Sequence, residues 1–391
     1  MRLDSVIPAA DIPPWPCVLP WVRLEISPSA MFAPCCIDYP AAHHRIDAGD
    51  VTIPAIWNGD AMRAFRRAMA RGGHPETCRE TCVTLVSGRE RSGHLTICGG
   101  PASFVESQIR RVEDVLEGRE EARSGPLELI FSPTTYCNYD CLMCEYGETG
   151  TLQDELGRPF YDALEPLLGD LSLLAVSGGE PLASREFQAF LARVDMSRFP
   201  QLRVALTTNL SYFTPAVQER LAHVPWGGFT VSLNAATAPM YALVNRGLPY
   251  ERIRQNLDAL YDRRARGLFK GQVTYNFVVL RANVDEIEAI ADLSFADGAD
   301  VSYLLPHYNR HDESVFVHEP EMLRAAAALE RVGARESARG RHDTSREALA
   351  RASVLRQRIE QRVFEPIPFA KHPRSATVPL KDLLMRSSKG G

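Results

Sequence analysis

Apolar positions recur along this chain in two rhythms. From residue 127 onward, short apolar runs at 127–131, 171–176, 202–206, 228–233, 272–280 and 300–305 read as strands bounded by turn residues. Between them, segments near 160–168, 185–194, 215–222, 250–264 and 284–295 place apolar side chains three and four residues apart, the spacing of a helix with one buried face. Six strand–helix units of roughly 30 residues predict a parallel sheet with right-handed crossovers, and part-way closure of that sheet gives a partial (β/α)6 barrel. Ligands in parallel α/β folds bind at the C-terminal ends of the strands.

The first hundred residues follow another pattern. After a proline-rich start over 1–16, an alternating strand at 22–26, a turn at 27–30 and a short return strand form a hairpin that brings Cys17 toward Cys35. Gly49-Asp50 leads through Ile56-Trp57-Asn58 into a helix with Met62, Phe65 and Met69 on one face. That helix stops at Gly72-Gly73, just before Cys78 and Cys82. A charged helix over 102–123 follows and ends at Ser124-Gly125-Pro126. The predicted organisation is a small hairpin-plus-helix domain over 1–100, a helical linker over 101–126, the barrel over 127–306, and a C-terminal helical extension over 307–391 with helices at 319–332 and 344–364.

Composition narrows the function. The 391 residues carry a net charge of −5, so the basic footprint of a nucleic-acid binder is missing. No apolar run has the length of a membrane span, and the order of a signal peptide is absent from the start. Nine cysteines in such a chain point to metal or redox chemistry in a reducing, cytoplasmic setting.

The chemistry concentrates at strand ends. Cys137, Cys141 and Cys144 form a C-x3-C-x2-C run directly after the strand at 127–131, close enough for one loop to hold three corners of an iron–sulfur cube. A cube held at three corners keeps one iron open, as catalytic metal sites do. The strand at 171–176 ends in Ser177-Gly178-Gly179-Glu180-Pro181, where two glycines permit close backbone approach beside a carboxylate. Short polar side chains follow at later strand ends: Thr207, Thr208 and Asn209, then Ser232 and Asn234. These can bond a ribose or carboxylate, or cap the next helix. Zinc held by Cys137, Cys141, Cys144 and a distant histidine is the plainer alternative for the triplet.

Taken together, the triplet and the Gly-Gly-Glu-Pro segment resemble the radical S-adenosylmethionine (SAM) superfamily over about residues 127–306. The resemblance implies a [4Fe-4S] cluster on Cys137, Cys141 and Cys144, with SAM chelating the open iron. It further implies that Gly178, Gly179, Glu180 and Pro181 receive the methionine amino group, that Met143 lies near the adenine, and that Thr208, Asn209, Ser232 and Asn234 line the nucleoside and carboxylate. Arg246 is placed to bind that carboxylate. The expected reaction is reductive cleavage of SAM to a 5'-deoxyadenosyl radical, followed by hydrogen abstraction from substrate. An electron donor such as flavodoxin or ferredoxin is then required.

The N-terminal element resembles the Twitch half of a SPASM domain. The resemblance implies an auxiliary [4Fe-4S] cluster on Cys17, Cys35, Cys78 and Cys82, with Cys36 as an alternative to Cys35. Four thiolates also suit a structural zinc. The chain departs from the family in having Ala30 where glycine is usual in the turn, and in placing this element before the barrel. No leader-binding segment is evident ahead of it, which favours a sugar-like or other specialised metabolite for oxidation, epimerisation or cross-linking, with a ribosomal peptide as the alternative. Cys36, Cys98, Tyr275, Tyr303 and Tyr308 are available as hydrogen donors, Cys98 reading first as a small buried hydrophobe. A scaffold or sensor that has lost turnover is the non-enzymatic reading.

Overall fold

In the computed structural model, which describes residues 17–27, 32–33, 53–73, 95, 97–144, 154–306 and 309–365, every expected barrel strand is present. The strands are β1 (Arg23–Ile26), β2 (Phe32–Ala33), β3 (Glu128–Phe131), β4 (Leu173–Val176), β5 (Arg203–Thr208), β6 (Trp226–Ser232), β7 (Gln272–Val278) and β8 (Asp300–Leu304). They form one sheet in the order β2-β1-β3-β4-β5-β6-β7-β8. From β1 to β8 all neighbours run parallel, and only β2 pairs antiparallel. The partial barrel is therefore as the strand–helix rhythm predicts, with one parallel strand more.

That additional strand comes from the N-terminal hairpin. β1 pairs with β3 in the register Arg23↔Glu128 to Ile26↔Phe131, and the Arg23 guanidinium meets the Glu128 carboxylate at 2.6 Å. The hairpin is thus continuous with the barrel sheet. Behind it lie α1 (Leu19–Val22), α2 (Ile53–Trp57), α3 (Asp60–Ala70) and α4 (Ala102–Glu117). α4 stops short of 123 because Gly118 takes a left-handed φ of +66° at its end. The chain that follows is not a loose linker: Trp57 Nε1 donates to Ser124 O at 2.7 Å and Asn58 Nδ2 to Ala122 O at 2.9 Å. Arg66, fully buried and 4.4 Å above the Trp57 ring, donates to Pro20 O, Trp57 O and Glu120 O. Burial pushes its guanidinium down to about 10.

Alternation along each strand sets two faces. Leu129 and Phe131 of β3 point to the helix layer, where the Phe131 ring meets Phe160, Tyr161 and Phe187 at 5.4, 6.2 and 5.6 Å on α5 (Arg158–Leu164) and α6 (Arg185–Arg193). Val273, Tyr275 and Phe277 of β7 do the same against α9 (Tyr250–Ala265) and α10 (Ile287–Asp297). Tyr275 donates to Asp297, and Tyr303 to Ile287 O at 2.9 Å. These two tyrosines therefore face the outer layer and are no hydrogen donors to a substrate inside the barrel. The opposite set, Thr207, Thr230, Ser232, Asn276 and Ser302, is half-buried on the concave face. Helix caps come from the loops beyond the strand ends, immediately before each helix: Ser184 for α6, Thr214 for α7 (Pro215–Arg220) and Thr237 for α8 (Ala238–Asn245).

At the other margin, α11 (Glu319–Ala338) and α12 (His342–Glu360) form a helical hairpin. α12 runs along β8: Ser302 Oγ donates to Glu347 Oε1 at 2.9 Å, and Arg351 Nε donates to Tyr303 O at 2.8 Å. Edge backbone groups are thereby covered. Cys98 is exposed, not a buried filler; its backbone N–H and C=O pair with the Gln108 amide, both at 2.9 Å. Cys35, Cys36, Cys78, Cys82 and Tyr308 lie outside the described residues.

Candidate functional site

The loop 132–144, which carries the three cysteines, leaves the C-terminal end of β3 and lies against the ends of β4, β5 and β6. Its contact with the glycine segment is direct. Gly179 N donates to Thr134 O at 3.0 Å and Glu180 N to Tyr136 O at 2.7 Å. A Cβ on Gly179 would stand 2.1 Å from Tyr136 O, so only glycine permits this approach. Gly178 has φ +125°, a conformation L side chains rarely adopt. Ser177, Gly178 and Gly179 stay half-exposed, which leaves their backbone open to a ligand.

Glu180 is fully buried. Its carboxylate accepts from Thr208 Oγ1 at 2.8 Å, Asn209 N at 2.8 Å and Leu182 N at 3.2 Å. Burial pushes its carboxyl up to about 7, with those donors opposing the shift. Glu180 and Thr208 thus tie the ends of β4 and β5 to each other, and Thr208 Oγ1 also accepts from Leu210 N at 2.8 Å. Pro181 is buried behind them.

Asn209 turns toward the cysteines. Its Nδ2 donates to Cys137 Sγ at 3.7 Å and to Asn138 Oδ1 at 3.1 Å. Cys141 Sγ donates to Asn245 O at 3.3 Å. Asn245, fully buried, links onward to Leu233 O at 2.8 Å and to Asn234 Nδ2 at 2.9 Å. Asn234 is a left-handed residue, φ +56°, whose Oδ1 accepts from Val278 N at 3.0 Å. Ser232 sits at the concave end of β6, where its carbonyl accepts from Asn245 Nδ2 at 3.3 Å. Met143 packs against the small buried cluster of Leu142, Val244 and Leu280 at the barrel mouth.

Arg246 does not point into the mouth. It caps α8 with φ +42°, donates from Nε to Asp140 O at 2.6 Å and approaches the Asp140 carboxylate at 3.4 Å. Three further groups hold the loop that the sequence did not single out. Asn245 is one, Gly247 is another, since the Tyr139 ring lies 2.3 Å from where its Cβ would be. The third is Arg310, which donates to Cys141 O at 2.7 Å, to Cys144 O, and to Asp140 Oδ1 at 2.9 Å. Of these, only the Asn-x-Gly run at 245–247 carries a sequence signal, that of a turn.

The donor set fits a polynuclear centre. The three thiols sense one another: burial first, then neighbouring cysteines, Glu180 and Asp140, raise Cys137 to about 11 and push Cys141 well above the usual thiol range. Three thiolates in this setting need a strongly positive partner. Among the described residues no three His, Cys, Asp or Glu side chains converge enough to hold a single metal ion.

Comparison with known proteins gives the class. Residues 131–294 match the model of the radical SAM superfamily, and residues 17–83 match that of an iron-sulfur cluster-binding domain, SPASM. The chain therefore carries a radical SAM domain, preceded by a SPASM domain at the N-terminus. The radical SAM domain binds a [4Fe-4S] cluster and SAM, and the SPASM domain binds auxiliary iron–sulfur clusters; its matched span encloses Cys17, Cys35, Cys78 and Cys82. Among individual relatives, AdoMet-dependent heme synthase of Methanosarcina barkeri is 29% identical over 202 residues, 49% of this chain and 54% of that protein. Mycofactocin maturase MftC of Mycobacterium tuberculosis is 27% identical over 192 residues, 48% of this chain and 46% of that protein. The chain spans about half the length of these curated relatives. A solved structure of native anSMEcpe with bound AdoMet overlaps 55% of this chain and 62% of its own at 15% identity and a TM-score of 0.45. Streptococcus suis SuiB bound to S-adenosylmethionine overlaps 71% and 64% at 14% identity and a TM-score of 0.44. Among the described residues no helix is long and apolar enough to cross a membrane.

Proposed function

We propose that this chain is a cytoplasmic radical SAM oxidoreductase or isomerase that modifies a polar substrate held inside the barrel. The observation that carries the reading is the docking of the three-cysteine loop on the glycine segment through Gly179 N–H and Glu180 N–H. When bound, the cluster and SAM supply a low-potential electron and, from it, a 5'-deoxyadenosyl radical able to take a hydrogen atom from an unactivated carbon. Cys137, Cys141 and Cys144 hold the cluster. Ser177 to Gly179 offer backbone to the methionine end of SAM, while Met143 and Ser232 stand at the mouth where its nucleoside would lie. Glu180, Thr208, Asn234 and Asn245 bond to one another and to the backbone around them, and so keep the strand ends in register.

Thr207, Thr230, Asn276 and Ser302 give the concave wall hydroxyl and amide groups, with Glu347 and Arg351 at its β8 margin. This wall suits a hydroxyl- or amide-bearing molecule, either a sugar-like metabolite or a peptide. The SPASM cysteines Cys17, Cys35, Cys78 and Cys82 are proposed to hold a second [4Fe-4S] cluster that accepts the electron left on the substrate, and a flavodoxin or ferredoxin to reduce the first. Anaerobic reconstitution with iron and sulfide tests the reading. About eight irons, falling to about four in a Cys137, Cys141, Cys144 triple alanine variant, with 5'-deoxyadenosine formed only by wild type, is the expected result. Zinc in place of iron, or no SAM cleavage by loaded wild type, overturns it in favour of a scaffold.

A further inference from the structure

The segment after β8 crosses the barrel mouth. Residues 309–318 are fastened to the loop that follows β7: Arg281 N donates to Glu313 O at 3.0 Å, Ala282 N to Glu313 Oε2 at 2.9 Å, and Leu280 bridges Ser314. Arg281 and Asp312 add an ion pair at 3.2 Å. From this strap the Arg310 side chain, only 9% exposed, reaches back over the cysteine loop. Its guanidinium engages Cys141 O, Cys144 O and the Asp140 carboxylate together.

We propose that Arg310 is a positioning residue for the radical SAM cluster, fixing two of its cysteines relative to each other and raising its reduction potential. The geometry explains both parts. Cys141 O and Cys144 O bracket the tight turn at Leu142-Met143, which Cys144 N closes on Cys141 O at 3.1 Å. One planar guanidinium bound to both carbonyls fixes the separation of the two Cα atoms as no single-point cation can. Arg246 holds Asp140 from the other side. A permanent positive charge, itself largely buried and fixed one peptide unit from two cluster ligands, favours the form of the cluster that carries the added electron. Its removal therefore makes the cluster harder to reduce.

This inference rests on the radical SAM reading, and one experiment separates their failures. Full-length wild type, R310K and R310Q are reconstituted anaerobically and titrated potentiometrically, following the EPR signal that changes on adding SAM; the auxiliary cluster, with no open iron, does not report there. Iron content and circular dichroism monitor loading and folding. The expected result is a midpoint shifted to lower potential in R310Q, with R310K closer to wild type in midpoint but altered in its SAM-induced spectral change. Wild-type midpoint and spectrum in R310Q overturn the proposal. If R310Q does not fold, R310K decides: an unaltered SAM-induced change refutes the clamp, an altered one supports it. A wild type without any SAM-responsive signal overturns the radical SAM reading and this inference with it.

Discussion

Replacing Gly179 with alanine tests the contact on which the site is built. The new methyl carbon would stand 2.1 Å from Tyr136 O, 2.5 Å from Tyr136 C and 2.6 Å from Thr135 O, all backbone atoms that no rotamer change can clear. Ordinary contact needs at least 3.4 Å, so the glycine segment and the cysteine loop must part by more than an ångström. Two hydrogen bonds span that seam, Gly179 N to Thr134 O and Glu180 N to Tyr136 O. Losing both costs about 1 kcal/mol each, and overpacking adds about 1–3 kcal/mol. The sum, roughly 3–5 kcal/mol, is a large share of the 5–15 kcal/mol typical of a domain. Gly169→Ala serves as control, since nothing lies within 4 Å of its Cβ and its φ is ordinary; that change should be neutral or stabilising by about 0.5 kcal/mol. The assay is anaerobic guanidinium unfolding followed by circular dichroism, with bound iron counted before and after. A Gly179→Ala variant with the wild-type midpoint and full iron content would refute the reasoning.

Two further predictions concern buried charge, both read from unfolding midpoints. The Glu180 carboxyl, raised from 4.5 to about 7 by burial, favours the folded state only while protonated. Its contribution is complete below pH about 4.5 and lost as pH rises through about 7, a decline of roughly 3 kcal/mol; Glu180→Gln should lack this component of the pH slope, and an unchanged slope counts against it. Arg66→Ala removes the donor to Pro20 O, Trp57 O and Glu120 O and should cost about 3–5 kcal/mol, whereas exposed Arg346→Ala, in an i,i+3 pair with Asp343, should change stability by less than about 0.5 kcal/mol.

The strands of the barrel were legible because alternation is a local property: Leu129 with Phe131, or Val273 with Tyr275 and Phe277, declares a face within a few residues. That same parity places Tyr275 and Tyr303 on the helix side, so the strand pattern alone already sets them apart from the other available hydrogen donors. Partner choice is not local. The strand at 22–26 reads as part of a hairpin, yet nothing in its own sequence says that it also pairs with a strand a hundred residues later. The cysteine triplet and the glycine segment stood out because their residue types are tied to a specific chemistry. Arg310, Asn245 and Gly247 did not, since a loop arginine or asparagine looks the same whether it holds a carbonyl or faces water. Arg246 shows what residue type alone does not carry: its type suits a ligand carboxylate, and its left-handed backbone sets it against Asp140.

Continuity of the hairpin with the barrel has a practical meaning for anyone dissecting the protein. The parallel strands end at β1 on one side and β8 on the other, the first screened by the two-residue β2 and the second by α12. Deleting the N-terminal region would strip β3 of its neighbour and lay bare a row of unpaired amides and carbonyls beside Leu129 and Phe131, an invitation to pair with another molecule. An excised barrel is therefore expected to aggregate. Questions about the second cluster are better put to the intact chain through single cysteine substitutions, which leave the margins of the sheet closed.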